Sequence, residues 1–393
     1  MAPGVQAGLM SLDEAIGALA LIDHHAHAAH ASDLSGRNFE LLITESGHPA
    51  PQGTTQFDSQ LGFAIRRWCA PVIGLEPMAA AGDYLRRRSE LGGTEVARRF
   101  LAGAGCGRML LDTGFEAEGS LSLAEMADVS GSQVSEIVRL ETVAEQVAAA
   151  GGCQAAAFSE QFRQALRQQT ASAAGLKSII AYRLGLDFAA EQPSEREVTA
   201  AAGRWLREIA ASGRVRLTDQ VLLRHVLWEG VERGLPVQLH TGFGDPDLDP
   251  RRSDPLQTAG FLEQVRTRGV PVMLLHCYPF HRNAGYLAQL FPHVYIDVGL
   301  ALNYVGARAR QIVAETLELA PFAKVLFSSD AYGLPELHFL GALQWRRATG
   351  QVLGGWVAAG EWTEPEAIRV ASMIGVHNAA RVYRLGEPGQ SGS

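Results

Sequence analysis

Eight short apolar runs alternate along the chain with longer segments of helical periodicity. Apolar runs of this length predict buried strands, and strands that alternate with helices predict a parallel sheet covered by helices. Eight such units favour a closed (β/α)₈ barrel (TIM barrel), an α/β fold, over an open sheet. The predicted strands are the run from 18 into the histidines at 24–27, then 108–114, 134–140, 174–182, 235–240, 270–276, 294–298 and 324–330.

The connection after the first predicted strand is too long for an ordinary loop between a strand and a helix. Residues 28–55 are polar and marked by Gly and Pro, and a helical pattern follows over about 57–101. We therefore expect a helical insertion at 57–101 that covers the mouth of the barrel, within one domain spanning 1–393. The tail at about 386–393 is predicted to be disordered.

Composition narrows the functional class. The chain has 393 residues, of which 47% are hydrophobic and 19% charged, and its formal net charge is −8. This charge argues against nucleic-acid and anionic-membrane partners. The partner that we expect is a small-molecule substrate. The beginning of the sequence lacks the basic and apolar regions of a signal peptide, and no apolar run reaches the ~20 residues of a membrane span. We expect a cytoplasmic protein, with homo-oligomer formation left open.

The cysteines also favour a cytoplasmic protein. They are scattered, without a CxxC pair, which argues against a disulfide framework and against a cysteine zinc site. The pattern suits a reducing compartment. The four are Cys69, Cys106, Cys153 and Cys277.

Polar residues occur where the predicted strands end. His25 and His27 are two positions apart at the end of the first strand, so they point to one face, whereas His24 points to the other. His240, His276 and Asp330 end the fifth, sixth and eighth strands. The carboxyl ends of barrel strands converge on one face, so these side chains are expected to meet there. Imidazoles and a carboxylate buried together are costly unless a metal or hydrogen bonds satisfy them.

Each candidate has a structural alternative. His240 could be a core histidine with satisfied hydrogen bonds, and His276 could be a hydrogen-bond donor instead of a ligand. Asp330 could cap the helix that follows it, because Asp is a favoured cap. Lys177, on the fourth predicted strand, could belong to a buried ion pair.

Further polar residues at the strand ends are candidates for binding the substrate. Among them, Arg183 is of most interest because a guanidinium matches a carboxylate with two parallel hydrogen bonds. The others are Glu141 and Tyr332, together with Arg139 and Tyr278.

A resemblance to a known family is carried by three stretches, Ile22–His27, Leu176–Arg183 and Phe327–His338. They resemble the amidohydrolase superfamily of metal-dependent hydrolases. More narrowly, they are similar to the amidohydrolase-like domain that plant nodulin and fungal developmental proteins carry fused to a glutamine-synthetase-like domain, and that bacteria have alone.

The resemblance implies that His25, His27 and His240 bind a divalent metal. It makes Asp330 a further ligand or the general base beside the metal, and His276 a second ligand or a group that polarises the substrate carbonyl. Some members of the superfamily carry a carboxylated lysine between two metals at the position of Lys177, which is therefore a further candidate ligand. We expect one ion rather than two, with zinc first and manganese or iron as alternatives.

The implied activity is metal-dependent hydrolysis of a carbon–nitrogen bond in a small amide. In this scheme Asp330 takes a proton from the attacking water, and His276 helps to stabilise the oxyanion. The glutamine-synthetase association of the family makes a γ-glutamyl amide the first substrate to consider. Two alternatives stay open: a metal-dependent decarboxylase or isomerase of a small carboxylic acid, and a scaffold without catalysis.

Overall fold

A curved sheet of seven parallel strands forms the centre of the protein. The computed structural model describes residues 10–115 and 119–386. The strands pair in the order in which they occur in the chain, so helical segments connect neighbours throughout. They are β1 Leu21–Ala26, β2 Cys106–Asp112, β3 Gln133–Arg139, β4 Gly175–Ser178, β5 Val237–His240, β6 Val272–Leu275 and β7 Val294–Ile296.

The predicted eighth strand, 324–330, does not form a regular strand. Its backbone nevertheless closes the ring, because Leu326 donates to a carbonyl of β7 (3.0 Å) and Phe327 accepts from an amide of β1 (3.2 Å). The ladder is interrupted at Ser329, whose amide donates to the Asp23 carboxylate (3.0 Å) and not to a strand carbonyl. The fold is an α/β barrel of the TIM type whose eighth position is irregular.

The helices surround this sheet, and several begin where the sequence places a capping pattern. Ser11, Ser122 and Ser194 each accept from the backbone of a glutamate three residues later, whose carboxylate bonds back, as a capping box requires. The helices are α1 Leu12–Gly17, α2 Gly36–Leu41, α3 Gln60–Ala64, α4 Ala70–Val72, α5 Ala81–Leu91, α6 Gly93–Ala104, α7 Leu123–Ser130, α8 Leu140–Ala149, α9 Phe158–Gln169, α10 Ile180–Arg183, α11 Glu195–Ser212, α12 Gln220–Arg233, α13 Ala259–Val265, α14 His281–Leu290, α15 Gly299–Val305, α16 Ala309–Thr316, α17 Pro335–Ala358, α18 Glu364–Ser372 and α19 Asn378–Val382.

The predicted insertion at 57–101 contains α3 to α5 and most of α6. Its aromatic side chains form a core separate from that of the barrel, packed on the first turns of α17. A buried ion pair joins the two parts, with Arg88 Nε 2.7 Å from Glu336 Oε1. The Tyr84 hydroxyl donates to the same oxygen (3.0 Å). The insertion is thus anchored by both apolar burial and a buried charge pair.

Two expectations concern the chain ends and membranes. The tail predicted to be disordered, about 386–393, lies outside the described residues except for Gly386. Over the described ranges, we find no helix with both the length and the apolar character that crossing a membrane requires.

Candidate metal centre

Three buried side chains converge at the carboxyl end of the barrel. His25 Nε2 lies 3.1 Å from Asp330 Oδ1, and His276 Nδ1 lies 2.9 Å from Asp330 Oδ2. One ligand atom from each residue falls within 4.8 Å of the others. Imidazole nitrogen and carboxylate oxygen together suit zinc and related divalent ions.

The backbone at two of these residues is unusual. His276 has a φ of 56° and Asp330 a φ of 46°. Residues with side chains rarely adopt this left-handed region, and such backbone strain concentrates at functional sites. It directs both side chains into the same small space between the first, sixth and eighth barrel positions.

A hydrogen bond orients the ring of His25. Its Nδ1 lies 2.8 Å from Oε1 of Gln238, whose amide nitrogen donates to the carbonyl of His24 (2.7 Å). An amide oxygen only accepts, so Nδ1 carries the proton and Nε2 keeps its lone pair for the cluster. Burial, and secondly the nearby Lys177, lower the pKa of His25 to about 3, which keeps the ring neutral.

His27 and His240 border the cluster. His27 Nε2 is 3.8 Å from Asp330 Oδ1, and the ring of His240 is centred 4.6 Å from that of His276. Among the described residues, His27 Nδ1 and His240 Nε2 are buried and have no hydrogen-bond partner. Unpaired buried nitrogens are rare, and a metal would satisfy Nε2 of His240, whereas His27 faces the cluster with its other nitrogen, Nε2. The donor set therefore fits a divalent ion.

Neighbouring groups and burial shift the pKa values of Asp330 and Lys177. Burial acts to raise the pKa of Asp330, but the adjacent His276 and His25 overcome it and hold that pKa well below its usual range. Lys177 Nζ lies 3.2 Å from His25 Nε2. Burial lowers the pKa of Lys177 to about 8, although Asp112 and Asp330 act in the opposite direction.

A cavity of about 660 Å³ opens onto this cluster. Arg183 and Tyr332, predicted to bind substrate, both line it. Glu141, predicted for the same role, is not among the lining residues. It is fully buried, and its Oε1 accepts from Ser178 Oγ (2.7 Å) and from the amide of Ile179 (3.0 Å), so it holds the end of β4.

The insertion at 57–101 does not line the cavity, although it was expected to cover the mouth of the barrel. The segment that borders the cavity is 41–48, from the end of α2 onward, and none of 57–101 lines it. The expected cover of the barrel mouth is therefore supplied by the polar residues that precede the insertion. The reason is that the apolar faces of α3 to α6 pack on α17 instead.

Several functional neighbours were missed by sequence reasoning. Gln238 and Asp297 carried a signal, because each is a polar residue in or just after an apolar strand. Asp297 accepts from His24 Nε2 (3.1 Å) and from the amide of His276 (3.1 Å), which ties β1 to β6. Glu45 lies in the polar segment after α2, where neither period nor spacing marks it.

Comparisons with known proteins agree with this geometry. The amidohydrolase family model matches residues 116–385. Protein fluG of Emericella nidulans is 30% identical over 426 residues, covering 97% of this chain and 47% of the fungal protein. The chain thus spans about half the length of this curated relative.

Solved structures share the fold. A protein of Lactobacillus casei ATCC 334, assigned as a metal-dependent hydrolase, has 27% sequence identity and a TM-score of 0.83, with 98% of this chain and 100% of that chain covered. A uronate isomerase of Bacillus halodurans C-125 has 13% identity and a TM-score of 0.62, with 96% of each chain covered, and shows the fold alone. The family match covers more than half of the sequence. The chain therefore belongs to the amidohydrolase family.

Proposed function

We propose that this protein is a metal-dependent hydrolase that cleaves the carbon–nitrogen bond of a small amide. The observation that carries the proposal is the convergence of His25, His276 and Asp330 on one another beside a cavity that a small molecule could enter. The family fixes only the broader class of chemistry, so the amide bond is our inference.

His25, His276 and Asp330 would hold the ion, with Nε2 of His27 and the unpaired Nε2 of His240 available to complete its coordination. When bound, a divalent cation supplies a water of lowered pKa and polarises a carbonyl oxygen. We favour one ion over two, since a single cluster of three candidate ligands occurs among the described residues. We favour zinc as this ion because it accepts imidazole nitrogen and carboxylate oxygen.

The side chains of the site suit the proton transfers of amide hydrolysis. Asp330 is ionised and can accept a proton from water at its carboxylate, then return it to the leaving nitrogen. As the alternative to a ligand role, His276, which lies at the same carboxylate, can hydrogen-bond to the developing oxyanion. Lys177 Nζ lies beside the cluster, 3.2 Å from His25 Nε2, and in its protonated form would also favour an oxyanion.

The resemblance to glutamine-synthetase-like fusion proteins makes a γ-glutamyl amide one candidate substrate. Arg183 supports a substrate that bears a carboxylate, because the residue lines the cavity and two of its guanidinium nitrogens, Nε and Nη1, have no partner among the described residues. Tyr332 lines the same cavity and offers a hydroxyl to a polar group of the substrate.

The test is an assay of zinc-loaded protein against a panel of small amides, γ-glutamyl amides included, with products identified by NMR. We expect release of amine or ammonia together with a carboxylic acid. Glu263→Gln, which alters an exposed carboxylate on α13, is the matched control and should leave the rate unchanged. Release of carbon dioxide, or rearrangement without cleavage, would replace this proposal by a decarboxylase or an isomerase.

A further inference from the structure

The cavity beside the metal centre has groups of opposite charge on its wall. Arg183 belongs to α10, the short helix after β4, and Glu45 belongs to the segment that follows α2. Neither is a candidate metal ligand. Both line the same cavity, so both are available to one bound molecule.

Arg183 has unused hydrogen-bonding capacity. Its side chain is only 9% exposed, and its Nη2 lies 3.3 Å from Glu145 Oε1. Among the described residues, its Nε and Nη1 are buried without a partner. Buried guanidinium nitrogens that lack a partner are costly, and a substrate carboxylate would satisfy them.

The neighbouring guanidinium groups are already paired. Arg139 Nη2 lies 2.6 Å from Asp112 Oδ2, and Arg216 Nη2 lies 3.0 Å from Asp247 Oδ2. Both line the cavity with Arg183. They add positive potential to this side, but Arg183 is the group that combines deep burial with free donors.

Glu45 places a negative charge on the other side of the cavity. The hydroxyl of Tyr332 donates to its Oε1 (3.2 Å). The carboxylates of Asp330 and Asp245 both act on Glu45, and Asp245 also lines the cavity. A partly buried carboxylate among others of the same sign gains from a cationic partner.

The topology separates the two charged groups. Arg183 follows the fourth barrel position, whereas Glu45 contacts Tyr332, which follows the eighth. In a closed ring of eight, the fourth and eighth positions face each other across the axis. A molecule that reached both groups would extend across the cavity, past the metal centre.

We propose that the substrate is a dipeptide-like zwitterion, whose carboxylate binds Arg183 and whose ammonium group binds Glu45 on opposite sides of the scissile amide. The position of the amide rests on the proposed hydrolysis, whereas the binding of the two charges does not. A γ-glutamyl amide carries both charges on one carbon, so the separation of Arg183 from Glu45 favours the dipeptide arrangement.

The binding test uses molecules that cannot be hydrolysed. In 5-aminopentanoate, two methylene groups replace the amide of glycylglycine and the terminal charges are kept. Pentanoate lacks the ammonium group, and pentylamine lacks the carboxylate. L-Norvaline is an isomer of 5-aminopentanoate with both charges on one carbon. Dissociation constants of all four with the metal-loaded protein are measured by ligand-observed NMR.

We expect 5-aminopentanoate to bind about ten-fold more tightly than each of the other three molecules. In Arg183→Met, 5-aminopentanoate should no longer bind more tightly than pentylamine, but it should still bind more tightly than pentanoate. Glu45→Gln should do the reverse. Arg183→Lys, which keeps the charge, should restore part of the first preference.

The control is Arg251→Met, which removes a paired, exposed guanidinium away from the cavity and should change the preference by less than about two-fold. Equal binding of norvaline and 5-aminopentanoate would overturn the separated arrangement. Failure of both variants to alter the preferences, or absence of any preference, would overturn the proposal as a whole. These outcomes are independent of amide cleavage, so a failure of the hydrolase assay is distinguished from a failure here.

Discussion

Nδ1 of His276 lies 2.9 Å from Oδ2 of Asp330, and both residues have a left-handed backbone, with φ of 56° and 46°. This conformation costs a residue with a side chain about 1–3 kcal/mol. Hydrogen bonds hold it in place: the amide of His276 donates to Asp297 (3.1 Å), and that of Asp330 to the carbonyl of His25 (3.1 Å). The fold therefore stores strain where it brings a carboxylate against an imidazole.

Replacing Asp330 by Asn tests the chemical role of this carboxylate. Asn has nearly the same shape but cannot accept the proton, so we expect kcat/KM for amide cleavage to fall about 10²–10⁴-fold. The initial rate of amine release measures this, and the melting temperature should stay close to that of the wild type. Unchanged turnover in Asp330→Asn would remove the residue from the proton-transfer step.

Gln238 is expected to tune metal affinity without touching the metal. Its oxygen fixes the proton on Nδ1 of His25, and loss of such an outer partner costs about 10–100-fold in metal affinity. We therefore expect Gln238→Leu to weaken zinc binding by this factor in competition with a chromophoric chelator. Gln168→Leu on the exposed face of α9 should have no effect. Equal affinity in Gln238→Leu would show that the orientation of His25 does not depend on this bond.

The Arg88–Glu336 pair should govern how firmly the insertion is held. Both side chains are buried, so Arg88→Met leaves an unpaired carboxylate and is expected to lower the free energy of unfolding by about 3–5 kcal/mol. The double variant Arg88→Met with Glu336→Gln should lose less, because no buried charge remains. Urea denaturation measures both, with the exposed Arg86→Met as control. If the double variant proved as unstable as the single one, the loss would come from packing and not from the orphaned charge.

The raised pKa of Glu45 predicts that the stability of the ligand-free protein depends on pH. Burial, opposed in part by hydrogen bonds from Tyr304 and Tyr332, raises the pKa of Glu45 to about 7 from its ordinary value near 4.5. Between these pH values the folded state binds the proton more tightly than the unfolded state does. The stabilisation is complete below pH 4.5 and is lost as the pH rises through 7, by about 1–3 kcal/mol.

This loss should disappear in Glu45→Gln, since the amide does not titrate. Urea denaturation of wild type and variant between about pH 4.5 and 8 checks it, with Glu263→Gln as an exposed control. Parallel stability curves for the wild type and Glu45→Gln would contradict the assignment.

The barrel could be predicted from sequence because its signals are local. Apolar runs between helical segments located β1 to β7 within a few residues, and the spacing of His25 and His27 by two marked the first strand end. The eighth strand was misjudged because the amide of Ser329 bonds to the Asp23 carboxylate, far away in the sequence. No period in a single segment reports such a contact.

The site was only partly predictable for the same reason. Residues at strand ends, such as His276 and Asp330, could be named because barrel topology brings strand ends together. Glu45 could not, since its position depends on how the loop after α2 folds over the cavity. Glu141 shows the opposite error: it is the second residue of α8, close to the end of β3, yet its carboxylate turns inward to Ser178 and to the amide of Ile179.

The central claim is that the cluster of His25, His276 and Asp330 holds a divalent ion. The most direct test is elemental analysis of protein purified without chelators and without a histidine tag, before and after dialysis against zinc or manganese. We expect about one equivalent per chain in the wild type and a loss of most of it in His276→Ala, with the fold retained. Wild-type protein that holds no metal after either dialysis, or His276→Ala that binds as much as the wild type, would contradict the account.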